Sequence, residues 1–188
     1  MRSSEAERHE HIAATFTARV RATSDWDAPS PVVGWRARDV VDHLVTWLPG
    51  FLAAGGVTLP AGPKITDDPV AAWEHHVDVV QTLLDADDAA REFVHPHVGA
   101  MSRAVAIDRF YTSDVFMHTW DLARASGQDD RLDPDECATL LAGMEPIEQL
   151  LRDSGQFGPR VPVGDDAPVQ DRLIGFIGRD PDWQPDRP

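Results

Sequence analysis

The sequence predicts an all-α fold, an antiparallel four-helix bundle with an additional C-terminal helix and an extended, proline-rich tail. Three observations carry that expectation. Apolar residues recur at three- and four-residue steps over long stretches. Proline and glycine collect in the breaks between those stretches. No segment shows a convincing strand alternation, and there is no internal repeat or low-complexity tract. A length of 188 residues argues for a single domain spanning 1–188, since domains run to about 100–200 residues. The tail, from about residue 156, is expected to pack on the bundle.

The first helix covers 4–23, where Ile12, Phe16 and Val20 define one apolar face. A proline-containing link over 27–34 breaks it. The second helix runs over 36–48, and Pro49-Gly50 interrupts or ends it. A Gly- and Pro-rich connection over 55–68 leads to the third helix. That helix starts at Pro69 with Asp68 as N-cap and runs through Trp73, Val77, Val80 and Leu84. Residues 93–99 are loop or extended chain. The fourth helix spans 101–126 and stops at Gly127. The fifth opens at Asp133-Pro134, is kinked at Pro146 and closes at Gly155. An extended segment over 157–168 and a short helix over 169–178 complete the chain.

Composition excludes several classes of function. Thirty-two acidic residues against 17 basic ones give a net charge of −15 and a pI near 4.7, which opposes broad binding to nucleic acid or anionic lipid. No apolar run approaches the roughly 18–20 residues of a membrane span, and the N-terminus lacks the apolar core of a signal peptide. The single Cys137 excludes an intramolecular disulfide and a cysteine-built zinc site, and fits a reducing cytoplasm. There is no Gly-rich phosphate loop and no Gly-x-Ser-x-Gly elbow.

The fourth helix carries the informative residues. At 100° per residue, Ile107, Tyr111, Leu122 and Ala125 share a narrow apolar arc, and Asp114 and His118 lie in its middle. Asp108, Arg109, Thr112, Ser113, Phe116 and Thr119 fall on the opposite arc, expected to be solvated. An outward Phe116 suggests a partner surface, such as that of a homodimer. A carboxylate inside an apolar stripe costs several kcal/mol (roughly) unless it is paired or bound to a metal. Asp114 and His118, at i and i+4, can offer two ligands to one cation. Spacing alone favours a plainer reading, an Asp–His hydrogen bond buried in the core. On the second helix His43 lies at the border of the apolar arc, one turn before Trp47. A lone histidine there is more often a boundary residue than a ligand. If the two helices pack together, His43, Asp114 and His118 make a two-nitrogen, one-carboxylate set. Three protein ligands leave a position open, as in catalytic metal sites.

Two stretches resemble a known family. Gly34-Trp35 with Arg38-Asp39-Val40-Val41-Asp42-His43-Leu44-Val45 resembles the N-terminal metal-site helix of the DinB and mycothiol-dependent maleylpyruvate isomerase superfamily. The segment from Asp114 through His118-Thr119-Trp120-Asp121-Leu122-Ala123-Arg124 resembles its second metal-site helix. The tail, ending in Gly178-Arg179-Asp180-Pro181-Asp182-Trp183, is similar to an actinobacterial branch of small metal-binding proteins. The resemblance implies a DinB-like bundle with one divalent ion, zinc or nickel, on His43, Asp114 and His118. Family members often have Glu where this chain has Asp114. The isomerase proper also carries a C-terminal α/β domain, for which the roughly thirty residues after the last bundle helix are too few.

The resemblance further implies a metal- and thiol-dependent transferase or isomerase acting on a small electrophile, with mycothiol or a similar thiol as cosubstrate. A non-enzymatic module that senses or stores a metal or ligand is the alternative. Asp121 and Asp39 are candidates for orienting the imidazoles through their other ring nitrogen. His9, His11, His75, His76, His95 and His97 are expected at the surface. Cys137 is expected to be passive.

Overall fold

The computed structural model describes residues 3–185 and is mostly helical. Helix α1 (Ser4–Ala22) begins where the Ser3 hydroxyl accepts from the Ala6 N–H at 3.2 Å, with Glu5 and Glu7 in its first turn and Arg19 and Arg21 in its last. Both charge placements suit the helix dipole. Helix α2 (Ala37–Ala54) and helix α3 (Pro69–Asp85) follow; the Asp68 carboxylate accepts from the N–H groups of Val70 and Ala71, as its N-cap position predicts. Strands β1 (Glu92–His95) and β2 (Gly99–Ser102) form an antiparallel hairpin, with His95 opposite Gly99. A short helix α4 (Arg103–Ala106) leads through a π-helical turn, Ile107–Thr112, into helix α5 (Ser113–Ser126). Helix α6 (Pro134–Met144) is separated from α7 (Glu148–Asp153) by a 3₁₀ turn at Glu145–Ile147, where Pro146 removes a helical N–H. Helix α8 (Val169–Phe176) packs against α6.

The core lies where α1 meets α3 and α5, and where α2 meets α3 and α5. Phe16 of α1 meets Trp73 of α3 edge-on at 4.5 Å, and both are fully buried. The Trp73 indole N–H donates to Thr17 at 2.8 Å, so this large ring is buried without an orphaned donor. Arg8 ties α1 to the other elements, reaching Asp108 at 2.7 Å and Glu136 at 2.9 Å. Among the described residues no helix is long and apolar enough to cross a membrane.

Four expectations need correction. Helix α2 does not stop at Pro49 but continues to Ala54. Burial of Leu52, and the packing of Phe51 on Phe93 and His95, sustain the extra turn despite the lost N–H. The extended chain expected over 93–99 is one arm and the turn of a hairpin, and residues 101–102 belong to its second strand rather than to the fourth helix. Only Phe93 and His95 turn inward from β1, too short an alternation to stand out, and β2 has none.

Most of the predicted solvent face of the fourth helix is also buried, although Arg109 is exposed as expected and Asp108 is half-buried. Thr112, Ser113, Phe116 and Thr119 are all at most 8 % exposed. Helix α5 is covered on more than one side: Phe116 and Thr119 share a small recess with Ile12 and Thr15 of α1 and with Leu132. Phe116 is therefore a core residue, and the sequence argument for a partner surface at that ring goes with it.

Finally, three of the histidines expected at the surface are buried. His95 lies under Phe51, their rings stacked at 4.5 Å. His9 and His76 flank the ring of Tyr111 at 5.9 and 5.6 Å, and His9 Nδ1 lies 3.0 Å from the Thr112 hydroxyl. Burial is the main cause that lowers both His9 and His76 from the usual 6.5 to about 4, and each also feels a neighbouring base. Both are neutral in the fold at pH 7 and take up a proton more readily once the chain unfolds. Their contribution is complete above about pH 6.5 and drains away as pH falls towards 4. The loss is on the order of 3 kcal/mol for each ring. Urea unfolding between pH 8 and pH 4 should show this decline, and His76→Leu should remove its share of the slope.

Candidate metal centre

The second helix and the ligand-bearing helix do pack together, α2 against α5. Val40, Val41, Leu44 and Leu48 of α2 are fully buried, as are Val115 and Leu122 of α5. This apolar seam fixes His43 opposite Asp114 and His118. One ligand atom from each of the three lies within 4.8 Å of the others, and no other His, Cys, Asp or Glu group among the described residues is so arranged. His43 Nε2 stands 3.0 Å from Asp114 Oδ2, and His118 Nε2 stands 3.5 Å from Oδ1. The rings of His43 and His118 meet edge-on at 4.9 Å. The side chain of His118 is 6 % exposed, that of Asp114 20 % and that of His43 32 %, so the cluster opens to solvent on the α2 side.

Three further side chains build the surroundings. The Trp47 indole N–H donates to Asp114 Oδ2 at 3.0 Å. Trp35 stacks on His118 at 5.7 Å and lies 5.1 Å from the His43 ring. The loop that carries Trp35 is held closed by hydrogen bonds from Ser30 N–H to Trp35 O and from Ala37 N–H to Ala28 O, both 2.9 Å. His118 Nδ1 lies 2.8 Å from Asp121 Oδ2, and Asp121 is fully buried. Of the two acids proposed to orient the imidazoles, Asp121 does so and Asp39 does not. Asp39 accepts from the Arg36 N–H at 2.8 Å and caps α2.

Electrostatics follows from these contacts. Burial alone raises the Asp114 carboxyl, but His118, His43 and the Trp47 N–H outweigh it and hold it below the usual range. Burial likewise raises Asp121, and its cationic and hydrogen-bonding neighbours again prevail. Cys137 is pushed up to about 12 by burial and by nearby acids, so it is a thiol and not a nucleophile, as expected of a passive cysteine.

The donor set suits a borderline divalent ion: two imidazole nitrogens and one carboxylate oxygen converge, with a fourth direction left towards solvent. Trp47 and Trp35 were not assigned roles from sequence. The spacing of Trp47 one turn after His43 was the available signal, since i and i+4 positions share a helix face.

Two helices of this chain thus bring two histidines and an acid to one point, a group that could hold a metal ion. Residues 9–123 match the mycothiol maleylpyruvate isomerase N-terminal domain, and the chain belongs to that family. It is also similar to two Mycobacterium tuberculosis proteins, Uncharacterized protein Rv0738 and Uncharacterized protein MT0763, each from a different strain. Each is 30 % identical over 170 residues, covering 88 % of this chain and 91 % of the relative. No solved structure matches the chain significantly.

Trp47→Phe keeps an aromatic ring, though a smaller one, and removes the donor to Asp114. A hydrogen bond to a charged group is worth about 1.5–3 kcal/mol, so urea unfolding should show a stability loss in that range at pH 7.

Proposed function

We propose that this protein is a divalent-metal protein built on a DinB-like four-helix bundle, α1, α2, α3 and α5, with zinc or nickel held by His43, Asp114 and His118. One observation carries the reading. His118 presents Nδ1 to the carboxylate of Asp121 and Nε2 to that of Asp114. With the proton on Nδ1, the Nε2 lone pair faces a second acceptor, and a metal ion between them would relieve the repulsion. His43 Nε2 points at the same carboxylate and supplies the third donor.

Bound there, a divalent ion would act as a Lewis acid that lowers the pKa of a coordinated water or thiol. The chain supplies the rest. Asp114 is oriented by Trp47, His118 by Asp121, and Trp35 shields one side of both rings. The partly exposed His43 gives access from solvent, and the ligands that would approach there are a small thiol such as mycothiol and a small electrophilic substrate, with transfer of the thiol or thiol-assisted isomerisation as the reaction class. The family match supports this choice of thiol.

Elemental analysis of protein purified without a histidine tag should find one zinc or nickel per chain. His118→Ala should abolish it. If wild-type protein holds no stoichiometric metal after exposure to either ion, the reading fails. With cobalt substituted, mycothiol should shift the visible spectrum. An unchanged spectrum selects the non-enzymatic metal-binding module instead.

A further inference from the structure

The family match ends at residue 123, but the hydrogen bonds that fix the candidate centre extend beyond it. Asp121 is fully buried, and besides His118 it contacts Arg179, from the segment after α8. Arg179 Nε reaches Asp121 Oδ1 at 3.3 Å, and Nη2 reaches Oδ2 at 3.2 Å. The guanidinium therefore spans both oxygens, while His118 Nδ1 shares Oδ2. A buried carboxylate stays ionised only beside a group of opposite charge. A metal-ligating imidazole is neutral, so with metal bound Arg179 is the cation that Asp121 contacts.

The chain around Arg179 is built to aim it. Gly178 ends α8 at φ 85°, and the Arg179 N–H donates to Ile174 O at 3.0 Å. A Cβ at Gly178 would stand 3.0 Å from the backbone of Gly158, so the turn is packed as well as left-handed. Arg179 Nη1 donates to Ile177 O at 2.9 Å, which steadies the side chain. In the opposite direction Arg124 of α5 donates to Pro181 O at 2.7 Å and to Trp183 O at 3.4 Å. The tail is thus fastened to the ligand helix by arginines reaching both ways.

We propose that Arg179 is a positioning residue of the metal centre, and that through it the C-terminal tail sets metal affinity without touching the ion. It fixes Asp121, which accepts the Nδ1 proton of His118 and so selects the ring tautomer whose Nε2 is free for the ion. This rests on the metal reading above. Partners of this kind typically change metal affinity about 10- to 100-fold.

The test compares wild type with Arg179→Ala and Arg179→Gln. Zinc affinity is measured by calorimetry, and the His118 tautomer by nitrogen NMR of the metal-free protein. Both variants should bind zinc about 10- to 100-fold more weakly and should lose the preference for a proton on Nδ1. Zinc affinity within about two-fold of wild type, or an unchanged tautomer in a folded variant, overturns the proposal. If the alanine variant does not fold, the glutamine variant decides by the same criteria, since it keeps bulk and polarity but not charge. A wild-type chain that takes up no zinc overturns the metal reading instead; the tautomer then decides alone whether Arg179 positions His118.

Discussion

A carboxylate placed inside an apolar helix face has to be neutralised, and in this protein that requirement falls on Asp114. Its neighbours come from its own helix and from α2: His118 one turn on, and His43 and Trp47 across the seam. His43 and Trp47 can be supplied only if α2 and α5 lie in the register that their aliphatic faces dictate. The polar cluster and the aliphatic seam therefore depend on each other. Leu44 and Leu48 bring the helices together, and Asp114 penalises any sliding of one along the other, because a slip would leave a buried charge unpaired.

Polar groups elsewhere in the interior follow a similar logic with different chemistry. His9, His76 and Tyr111 are neutral and lie among α1, α3 and the π-helical turn. Arg8, Asp108 and Glu136 form a charged cluster that links α1 to α6. Helix α5 follows the π-helical turn that joins both sets and is buried on more sides than a surface helix would be. That explains how one helix can supply two candidate ligands, the acid that orients one of them, and packing surface for α1.

How much of this was legible in the sequence varies with the range of the interaction. Caps at Asp68 and Asp133, the stop at Gly127 and the break at Pro146 depend on neighbouring residues, and each can be read locally. The candidate ligands were also legible, since Asp114 and His118 are out of place on an apolar arc. The burial of Phe116, Thr112 and His9 was not, because it depends on which elements cover α5 and α1 from afar. Arg179 belongs with these: it meets Asp121 across 58 positions of sequence, and no local pattern marks that pairing. Over 93–99 extended chain and loop were equally legible, and the hairpin pairing was not, because two inward side chains in β1 are too few to make a pattern.

The π-helical turn at Ile107–Thr112 adds a last consequence. A π turn holds one residue more than an α turn, so it offsets the helical phase on either side. The hairpin lies upstream of this offset, with Phe93 against Phe51 of α2, and the candidate ligands lie downstream, also facing α2. Both segments meet the same helix, one on each side of the extra residue. Shortening the turn by one residue would rotate one half by about 100° against the other. A change of length within 107–112 would therefore disturb contacts on both sides of the turn at once, in a segment where Ile107, Tyr111 and Thr112 are already fully buried.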